Sequence, residues 1–291
     1  MAKQLSKNRH KDDLCADVAE VGSLLAFAAS FRGQMHYAAS TVRQDCYALG
    51  ADKNEDECNW LIAAIADGVS EADQSHFLAE YITRQTILLV KDELNAKGGD
   101  DNLTMYDWTR VARKITSASQ SFCKKQARGT LRKGFDAENL TPAQLLRRWA
   151  STLEFIVVGT KSNGRRPYAS VSIAGDGAVY VIRADKGWRV VKSGKKQTGV
   201  IASNAVAALP ADQGPPELAY GFLEDGDMLF ITTDGLGDAI GDGYSALGGF
   251  LQNELPGCED LISFIRIMDV SIYQADDDRT GILIKEKLRE K

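Results

Sequence analysis

The sequence has little material for a site built on thiols or imidazoles. Its 291 residues include five cysteines and three histidines, and no two cysteines are spaced as CxxC. A structural zinc site, a disulfide framework and a Ser-His-Asp triad are therefore all disfavoured. This use of cysteine is typical of a reducing compartment, so we expect the chain in the cytoplasm.

Three further absences exclude other classes of protein. There is no GxxxxGK[ST] loop, so a P-loop nucleotide site is unsupported. No apolar run approaches the roughly 20 residues that a membrane span needs. Acidic residues outnumber basic ones and the net charge is -5, so the chain has no basic footprint for nucleic acid. We therefore expect neither a membrane nor a nucleic acid as partner.

The residues that are present can form a sizeable core, because 44% are hydrophobic and 26% are charged. Their pattern predicts strands, then a pair of long helices, then further strands, a helix and a last strand. The predicted strands cover 35–42, 60–66, 153–160, 168–183 (interrupted at 175–177), 188–192, 227–233 and 280–285. The predicted helices cover about 77–93, 106–131 and 258–273. This order favours an α+β fold with antiparallel sheets.

The first thirty residues are predicted to form an N-terminal extension. Leu14, Val18, Val21 and Leu25 fall on one face of a helix, so the pattern indicates an amphipathic helix up to about residue 29. No internal repeat or low-complexity linker divides the rest of the chain. Residues 31–291 are therefore predicted to form one catalytic domain.

Acidic side chains stand where the predicted strands end. The motifs that contain them are Asn54-Glu55-Asp56 before strand 60–66, Asp67-Gly68 after it, Asp234 and Asp238 after strand 227–233, Asp276-Asp277-Asp278 before the last strand, and Asp176 between two glycines. Each motif alone is more typical of a turn or a solvated loop. Carboxylates gathered at one end of a sheet repel one another, and a hard divalent cation with a preference for oxygen ligands removes that penalty.

The joint order of these motifs carries a family resemblance. The segments NEDECNWLIAAIADGVS, STLEFIVV, SVSIAGDGAVYVI, DMLFITTDGLGDAI and DDDRTGILI resemble the bacterial branch of the metal-dependent protein phosphatases, the PPM or type 2C family, over about residues 38–286. The resemblance implies a four-layer α-β-β-α sandwich with two central antiparallel sheets flanked by helices. It also implies hydrolysis of phosphoserine and phosphothreonine by a water molecule that two Mn²⁺ or Mg²⁺ ions activate.

The resemblance also implies roles for individual residues. Asp67 would bridge the two ions, the carbonyl of Gly68 would bind one of them, and Asp234 and Asp277 would complete the shell of the other. Glu55 and Asp56 would hold metal-bound waters, so the implied catalytic set is Asp56, Asp67, Asp234 and Asp277. Asp176 and Asp238, together with Asp234, match a third and weaker metal site.

The sequence departs from the family pattern at the residue that binds the substrate phosphate. Many family members carry an arginine five residues before the equivalent of Asp56, and here that position is Ala51. Arg43 or Lys53 is the candidate substitute for binding the phosphate. This departure motivates an alternative, a catalytically weak pseudophosphatase that acts as a regulatory binding module.

The resemblance implies that the partner is a phosphorylated protein in a signalling pathway, and that the phosphatase opposes a serine/threonine kinase. A third reading, phosphatase chemistry on a small molecule or nucleotide, remains compatible with the sequence.

Overall fold

A computed structural model describes residues 11–52, 59–97, 102–130, 140–161, 164–183, 187–194, 207–270 and 276–287 of the chain. The strands are β1 (Leu14–Val21), β2 (Leu24–Phe31), β3 (Cys46–Ala51), β4 (Trp60–Ala66), β5 (Leu153–Gly159), β6 (Arg165–Ala174), β7 (Ala178–Arg183), β8 (Gly187–Lys192), β9 (Glu217–Glu224), β10 (Met228–Thr232) and β11 (Arg279–Glu286). The α-helices are α1 (Gln34–Ala38), α2 (Ser75–Ala96), α3 (Trp108–Thr130), α4 (Pro142–Leu146), α5 (Asp234–Ile240), α6 (Ala246–Glu254) and α7 (Leu261–Met268). Two 3-10 turns cover Leu103–Met105 and Leu255–Gly257.

The strands form two sheets in which every paired neighbour is antiparallel. One sheet has six strands in the order β1-β2-β11-β10-β7-β8, and the other has five in the order β3-β4-β5-β6-β9. The helices cover the outer faces of both sheets. The predicted α+β class with two central antiparallel sheets flanked by helices is confirmed.

Strand β4 shows how the layers arise, because successive side chains of a strand point to opposite faces. Leu61 and Ile65 lie in the core between the two sheets. Trp60 and Ile62 point the other way and pack with residues of α2 and α3. All seven residues of β4 are buried, which is why the segment reads as an unbroken apolar run.

A third core lies on the far side of the six-stranded sheet. There Phe230 of β10 packs with Leu251 of α6 and Phe264 of α7. The four layers are therefore α2 and α3, the five-stranded sheet, the six-stranded sheet, and α5 to α7. No helix within the described ranges is long and apolar enough to cross a membrane.

The N-terminal amphipathic helix predicted for residues up to about 29 is wrong. This segment forms the hairpin β1-β2, which turns at Gly22 with φ of +58° and Ser23. β2 lies between β1 and β11 and is buried on both faces, so its apolar run carries no alternation. A short run of this kind is indistinguishable from a buried helix by periodicity. The predicted boundary at residue 30 falls inside β2.

The strand predicted for residues 35–42 is also wrong, because helix α1 occupies Gln34–Ala38. β3 and β9 were not predicted. The strand predicted for 168–183 is two strands in different sheets, separated at Gly175-Asp176-Gly177. The long helices at 77–93 and 106–131 are confirmed as α2 and α3, and the strand at 60–66 is confirmed as β4.

Candidate metal centre

Strand register in the five-stranded sheet brings two aspartates together. Cys46, at the start of β3, pairs with Ala66, at the end of β4. Asp45 therefore enters β3 at the edge where Asp67 leaves β4. The backbone of Asp67 is fixed by Thr152 ahead of β5, whose Oγ1 accepts from the Asp67 N–H at 2.8 Å and whose N–H donates to the Asp67 carbonyl at 2.8 Å.

The six-stranded sheet delivers further carboxylates to the same place. Thr232, the last residue of β10, pairs with Gly281 of β11 on one side and with Ala178 of β7 on the other. The residues just beyond these strand ends are the aspartates at positions 234, 277 and 176. The two sheets thus present one acidic edge, to which the first turns of α5 add Asp238.

Asp45 is the carboxylate that both sheets hold in place. It is 1% exposed. Its Oδ2 accepts a hydrogen bond from Thr233 Oγ1 at 2.8 Å and another from Thr280 Oγ1 at 2.7 Å. Thr280 Oγ1 also lies 2.6 Å from Ser30 Oγ of β2. Hydroxyl groups of the six-stranded sheet therefore fix a carboxylate that belongs to the five-stranded sheet.

Burial and mutual repulsion raise the pKa of three of these groups. Burial, followed by the charge of Asp278, raises the pKa of Asp45 to about 6. Burial, followed by the charges of Asp45 and Asp234, raises the pKa of Asp67 well above its usual range. Burial, followed by the charges of Asp176 and Asp45, raises the pKa of Asp234 to about 7. Several buried carboxylates are an unfavourable arrangement unless protons or a cation offset their charge.

The donor set fits a divalent cation with a preference for oxygen. Asp45 Oδ1 and Asp234 Oδ1 are both buried, and neither has a hydrogen-bond partner among the described residues. Buried polar atoms are normally satisfied, so two such oxygens in one acidic cluster call for a positive ligand. No three carboxylate, imidazole or thiol groups of the described residues are already closed around one point as metal ligands.

A second network fixes the loop that carries Asp277. The carboxylate of Asp278 accepts from the N–H of Gly33 at 2.7 Å, from Nδ1 of His36 at 2.8 Å and from the N–H of Gln44. Burial opposes ionisation, but these hydrogen bonds outweigh it and hold the pKa of Asp278 below its usual range. The hydrogen bond to Asp278 raises the pKa of His36. Asp278 thereby ties Asp277 to the chain that leads into Asp45.

Two glycines allow this close packing. A Cβ on Gly33 would collide with the backbone of Asp277, and a Cβ on Gly235 would collide with the carbonyl oxygen of Asp278. At both positions the clash would be with backbone atoms, which cannot move aside as a flexible side chain can. Any larger residue at either position would therefore displace the backbone of the loop that carries Asp277.

The structure brings together most of the residues that the sequence singled out. The charges of Asp234 and Asp277 act on Asp67, and those of Asp176, Asp238 and Asp277 act on Asp234. Gly68 directly follows Asp67, and its backbone forms an isolated β-bridge with Ser151. Lys53, Glu55 and Asp56 lie outside the described residues. Their neighbours Asp52 and Asn59 stand at the opposite end of β4 from Asp67, where Asp52 Oδ1 accepts from the Asn59 N–H at 3.0 Å.

Arg43 is not placed to bind a phosphate. It is 4% exposed, and its guanidinium donates to the carbonyl oxygens of Asp12 and Asp45 and to Ser30 Oγ. These contacts hold the entry to β3 against β2. The prediction of Arg43 as a phosphate ligand is therefore corrected to a structural role.

Sequence reasoning missed Asp45. Its signal is the pair Gln44-Asp45 directly before an alternating stretch, Cys46–Ala51. Recognising that stretch as a strand antiparallel to β4 would have placed Asp45 beside Asp67. The sequence pattern instead predicted a strand at residues 35–42, where the structure has none.

We expect the metal-free protein to lose stability as the pH rises. Asp45 and Asp234 have pKa values of about 6 and about 7 in the folded chain, above the value of roughly 4 for an unfolded aspartate. Their contribution is fully present below about pH 4 and is lost as the pH rises through about 6 to 7. Manganese binds the deprotonated carboxylates, so its stabilising effect should grow over the same range.

Melting temperatures measured in EDTA and in excess Mn²⁺ between about pH 5.5 and about pH 7.5 check this expectation. The difference between the two temperatures should widen as the pH increases. A constant difference would contradict the assignment of these carboxylates to a cation site.

Comparisons with known proteins agree with the fold. Residues 32–280 match the family described as protein phosphatase 2C. No curated protein sequence matches the chain. Among solved structures, the catalytic domain of the serine/threonine phosphatase PstP in complex with two manganese ions is 17% identical, with a TM-score of 0.53 over 91% of this chain and 99% of that one.

Two other solved structures have the same fold. PppA, a regulatory component of the type VI secretion system in Pseudomonas aeruginosa, is 15% identical, with a TM-score of 0.55 over 93% of this chain and 100% of that one. A phosphatase from Toxoplasma gondii is 11% identical, with a TM-score of 0.61 over 95% of this chain and 97% of that one.

Proposed function

The chain belongs to the protein phosphatase 2C family of serine/threonine protein phosphatases, and on that premise we propose that it hydrolyses phosphoserine and phosphothreonine at a binuclear manganese or magnesium centre. The observation that carries the proposal is the set Asp45, Asp67 and Asp234 at one acidic edge, in which one oxygen of Asp45 and one of Asp234 are buried with no hydrogen-bond partner among the described residues. The similar PstP phosphatase holds two manganese ions, which supports the same metal here.

The residues that would hold the ions lie along the acidic edge that the two sheets share. Asp67, the carbonyl of Gly68, Asp234 and Asp277 keep the roles that the resemblance implies. Asp45 takes the place that the resemblance gave to Asp56. Asp176 and Asp238 would complete a third, weaker site with Asp234. Bound cations would activate a water molecule and offset the negative charge of the phosphoryl oxygens.

The chain's own residues prepare this centre before any substrate arrives. Thr233 and Thr280 hold Asp45, Thr152 holds the backbone of Asp67, and Asp278 holds the loop of Asp277. Ligands fixed in this way have little freedom to lose when a cation binds, which is the general benefit of preorganisation.

The physiological setting is part of the same proposal. A phosphorylated protein is the substrate and a serine/threonine kinase produces it, in the cytoplasm of a bacterium. Phosphatases of this class reverse kinase reactions in signalling, and the acidic character of the chain fits a protein partner rather than nucleic acid.

The test is the hydrolysis of a phosphothreonine peptide as Mn²⁺ is titrated into EDTA-treated protein. Saturating Mn²⁺ should raise turnover by at least roughly a hundredfold over EDTA, because cations supply several kcal/mol of charge stabilisation. Released inorganic phosphate is the measurement, and p-nitrophenyl phosphate serves as a second substrate. Turnover that is unaffected by EDTA would overturn the proposal.

A second candidate function is a pseudophosphatase that binds a phosphorylated partner as a regulator. It is favoured by the position of Arg43, whose guanidinium is bound elsewhere. The family arginine is also lacking. The residue five positions before Asp45 is Ser40, and the residue five positions before Asp56 is Ala51. Calorimetry that shows Mn²⁺ binding without turnover of either substrate would favour this alternative.

A further inference from the structure

A cavity of about 600 Å³ opens beside the acidic centre, between the loop that leads into β3 and the loop that follows β4. Its size is within the usual range for a ligand-binding pocket. Gln44, which directly precedes Asp45, lines it from one side. Ser70, which follows Asp67-Gly68, lines it from the other. A peptide bound at the centre by its phosphorylated residue therefore has this cavity next to it.

Gln44 provides a buried acceptor without a donor. The residue is 5% exposed, and no described residue donates a hydrogen bond to its side-chain oxygen. Its backbone is fixed, because its N–H donates to Asp278 and its carbonyl accepts from Lys11 at 3.3 Å. An unsatisfied acceptor in a residue that lines a cavity is a position where a ligand can donate a hydrogen bond.

The lining carries negative charge and no described positive charge. Glu71 and Asp73 lie at the rim with exposed side chains, and no described lysine or arginine lines the cavity. Arg148 contacts Asp73 only loosely, at 3.8 Å. Burial, followed by the charge of Lys11, lowers the pKa of His76 to about 4, so this imidazole in the lining is neutral near pH 7.

An aromatic ring completes the lining. Phe77 is 37% exposed, and its ring packs against that of His76 with centroids 4.1 Å apart. An exposed ring face beside carboxylates can cover the alkyl stem of a long basic side chain and attract its cationic head. The planar guanidinium of arginine suits this surface better than the ammonium of lysine.

We infer that this cavity is a substrate subsite that binds an arginine, or less tightly a lysine, next to the phosphorylated residue of a protein substrate. Gln44 accepts a hydrogen bond from the basic head, Glu71 and Asp73 attract its charge, and Phe77 packs against its stem. The inference rests on the proposed function, because it takes the phosphorylated residue to be bound at the aspartates. It narrows the substrates to proteins with a basic residue close to the phosphorylation site.

The experiment uses phosphothreonine peptides in which one neighbouring position at a time carries Arg, Lys, Gln or Glu. The readout is the ratio of kcat/KM for an Arg peptide to that for its Gln counterpart, measured within each variant. At one position or more, wild-type protein should prefer Arg by about tenfold, typical of a partly desolvated charge contact. The order Arg, Lys, Gln, Glu is expected at that position.

The double variant that carries both Glu71→Gln and Asp73→Asn should reduce the preference for Arg over Gln peptides to about twofold, because both attracting charges are lost. Phe77→Ala should reduce the preference for Arg over Lys. The matched control Asp92→Asn with Glu254→Gln removes the same number of charges at exposed positions on α2 and α6. This control should retain the full preference. A control that loses it equally would show a long-range charge effect and overturn the subsite.

A second readout separates the subsite from the proposed function. Binding of the same phosphopeptides, followed by fluorescence anisotropy, requires no turnover. If no peptide is hydrolysed but Arg peptides still bind more tightly to wild type than to the Glu71→Gln, Asp73→Asn variant, the proposed function fails and the subsite stands. If hydrolysis is metal-dependent but Arg, Gln and Glu peptides react and bind equally, the subsite is overturned and the proposed function stands.

Discussion

Replacing Asp67 or Asp234 with asparagine is expected to abolish the metal-dependent hydrolysis of a phosphothreonine peptide. Asparagine keeps the size of the side chain and removes its negative charge. Loss of a single electrostatic group at an active site commonly lowers turnover by roughly 100- to 1,000-fold, and loss of a carboxylate that would hold a metal ion should cost at least as much. Phosphate release at saturating peptide and increasing Mn²⁺ measures the effect.

The same substitutions should stabilise the metal-free protein. Burial and neighbouring carboxylates raise the pKa of Asp67 and of Asp234, so each charge is unfavourable where it stands. We therefore expect the melting temperature in EDTA to rise near pH 7.5 and the further increase caused by Mn²⁺ to shrink. A variant that is inactive because it has not folded would show a lower melting temperature instead.

Asp92→Asn is the matched control for these variants. It makes the same chemical change at an exposed position of α2. It should leave turnover, metal stabilisation and melting temperature close to wild type, since isolated surface charges contribute little. Full metal-dependent activity in Asp67→Asn or Asp234→Asn would exclude a centre built on these aspartates.

The second large effect is expected at Asp45, a residue that sequence reasoning passed over. Asp45→Asn should weaken the apparent affinity for Mn²⁺ by at least about tenfold and lower turnover with it, because a charged oxygen is lost from the cluster. The hydrogen bonds from Thr233 and Thr280 to Oδ2 can persist with an amide oxygen, so the fold should survive. Titration calorimetry with Mn²⁺ and the metal dependence of turnover are the two measurements.

Asp56→Asn is the informative partner of Asp45→Asn, because the family resemblance first pointed to Asp56. We expect Asp56→Asn to change Mn²⁺ affinity by less than about twofold, because we propose that Asp45 takes the place in the centre that the resemblance gave to Asp56. The reverse result, a large effect at Asp56 and a small one at Asp45, would restore the original assignment. Large effects at both positions would indicate that both carboxylates contribute to the centre.

The N-terminal segment shows how a hydrophobic pattern can predict the wrong type of secondary structure. Alanine-rich β2 is buried on both faces because β1 and β11 flank it in a sheet that helices and a second sheet cover. Its residues therefore show no alternation, and alanine and leucine favour a helix locally. Pairing with β11, about 250 positions later in the chain, overrides that preference.

The sequence by itself determined the fold class, the family and most of the acidic centre. Asp67, Asp234 and Asp277 each adjoin an apolar strand, and short-range patterns record where such strands begin and end. Only the tertiary structure decided that Asp45 belongs to the centre, that Arg43 serves the entry to β3, and that Gln44, Glu71 and Phe77 share one cavity. These assignments depend on strand register and on contacts between residues far apart in the chain, and no local pattern encodes them.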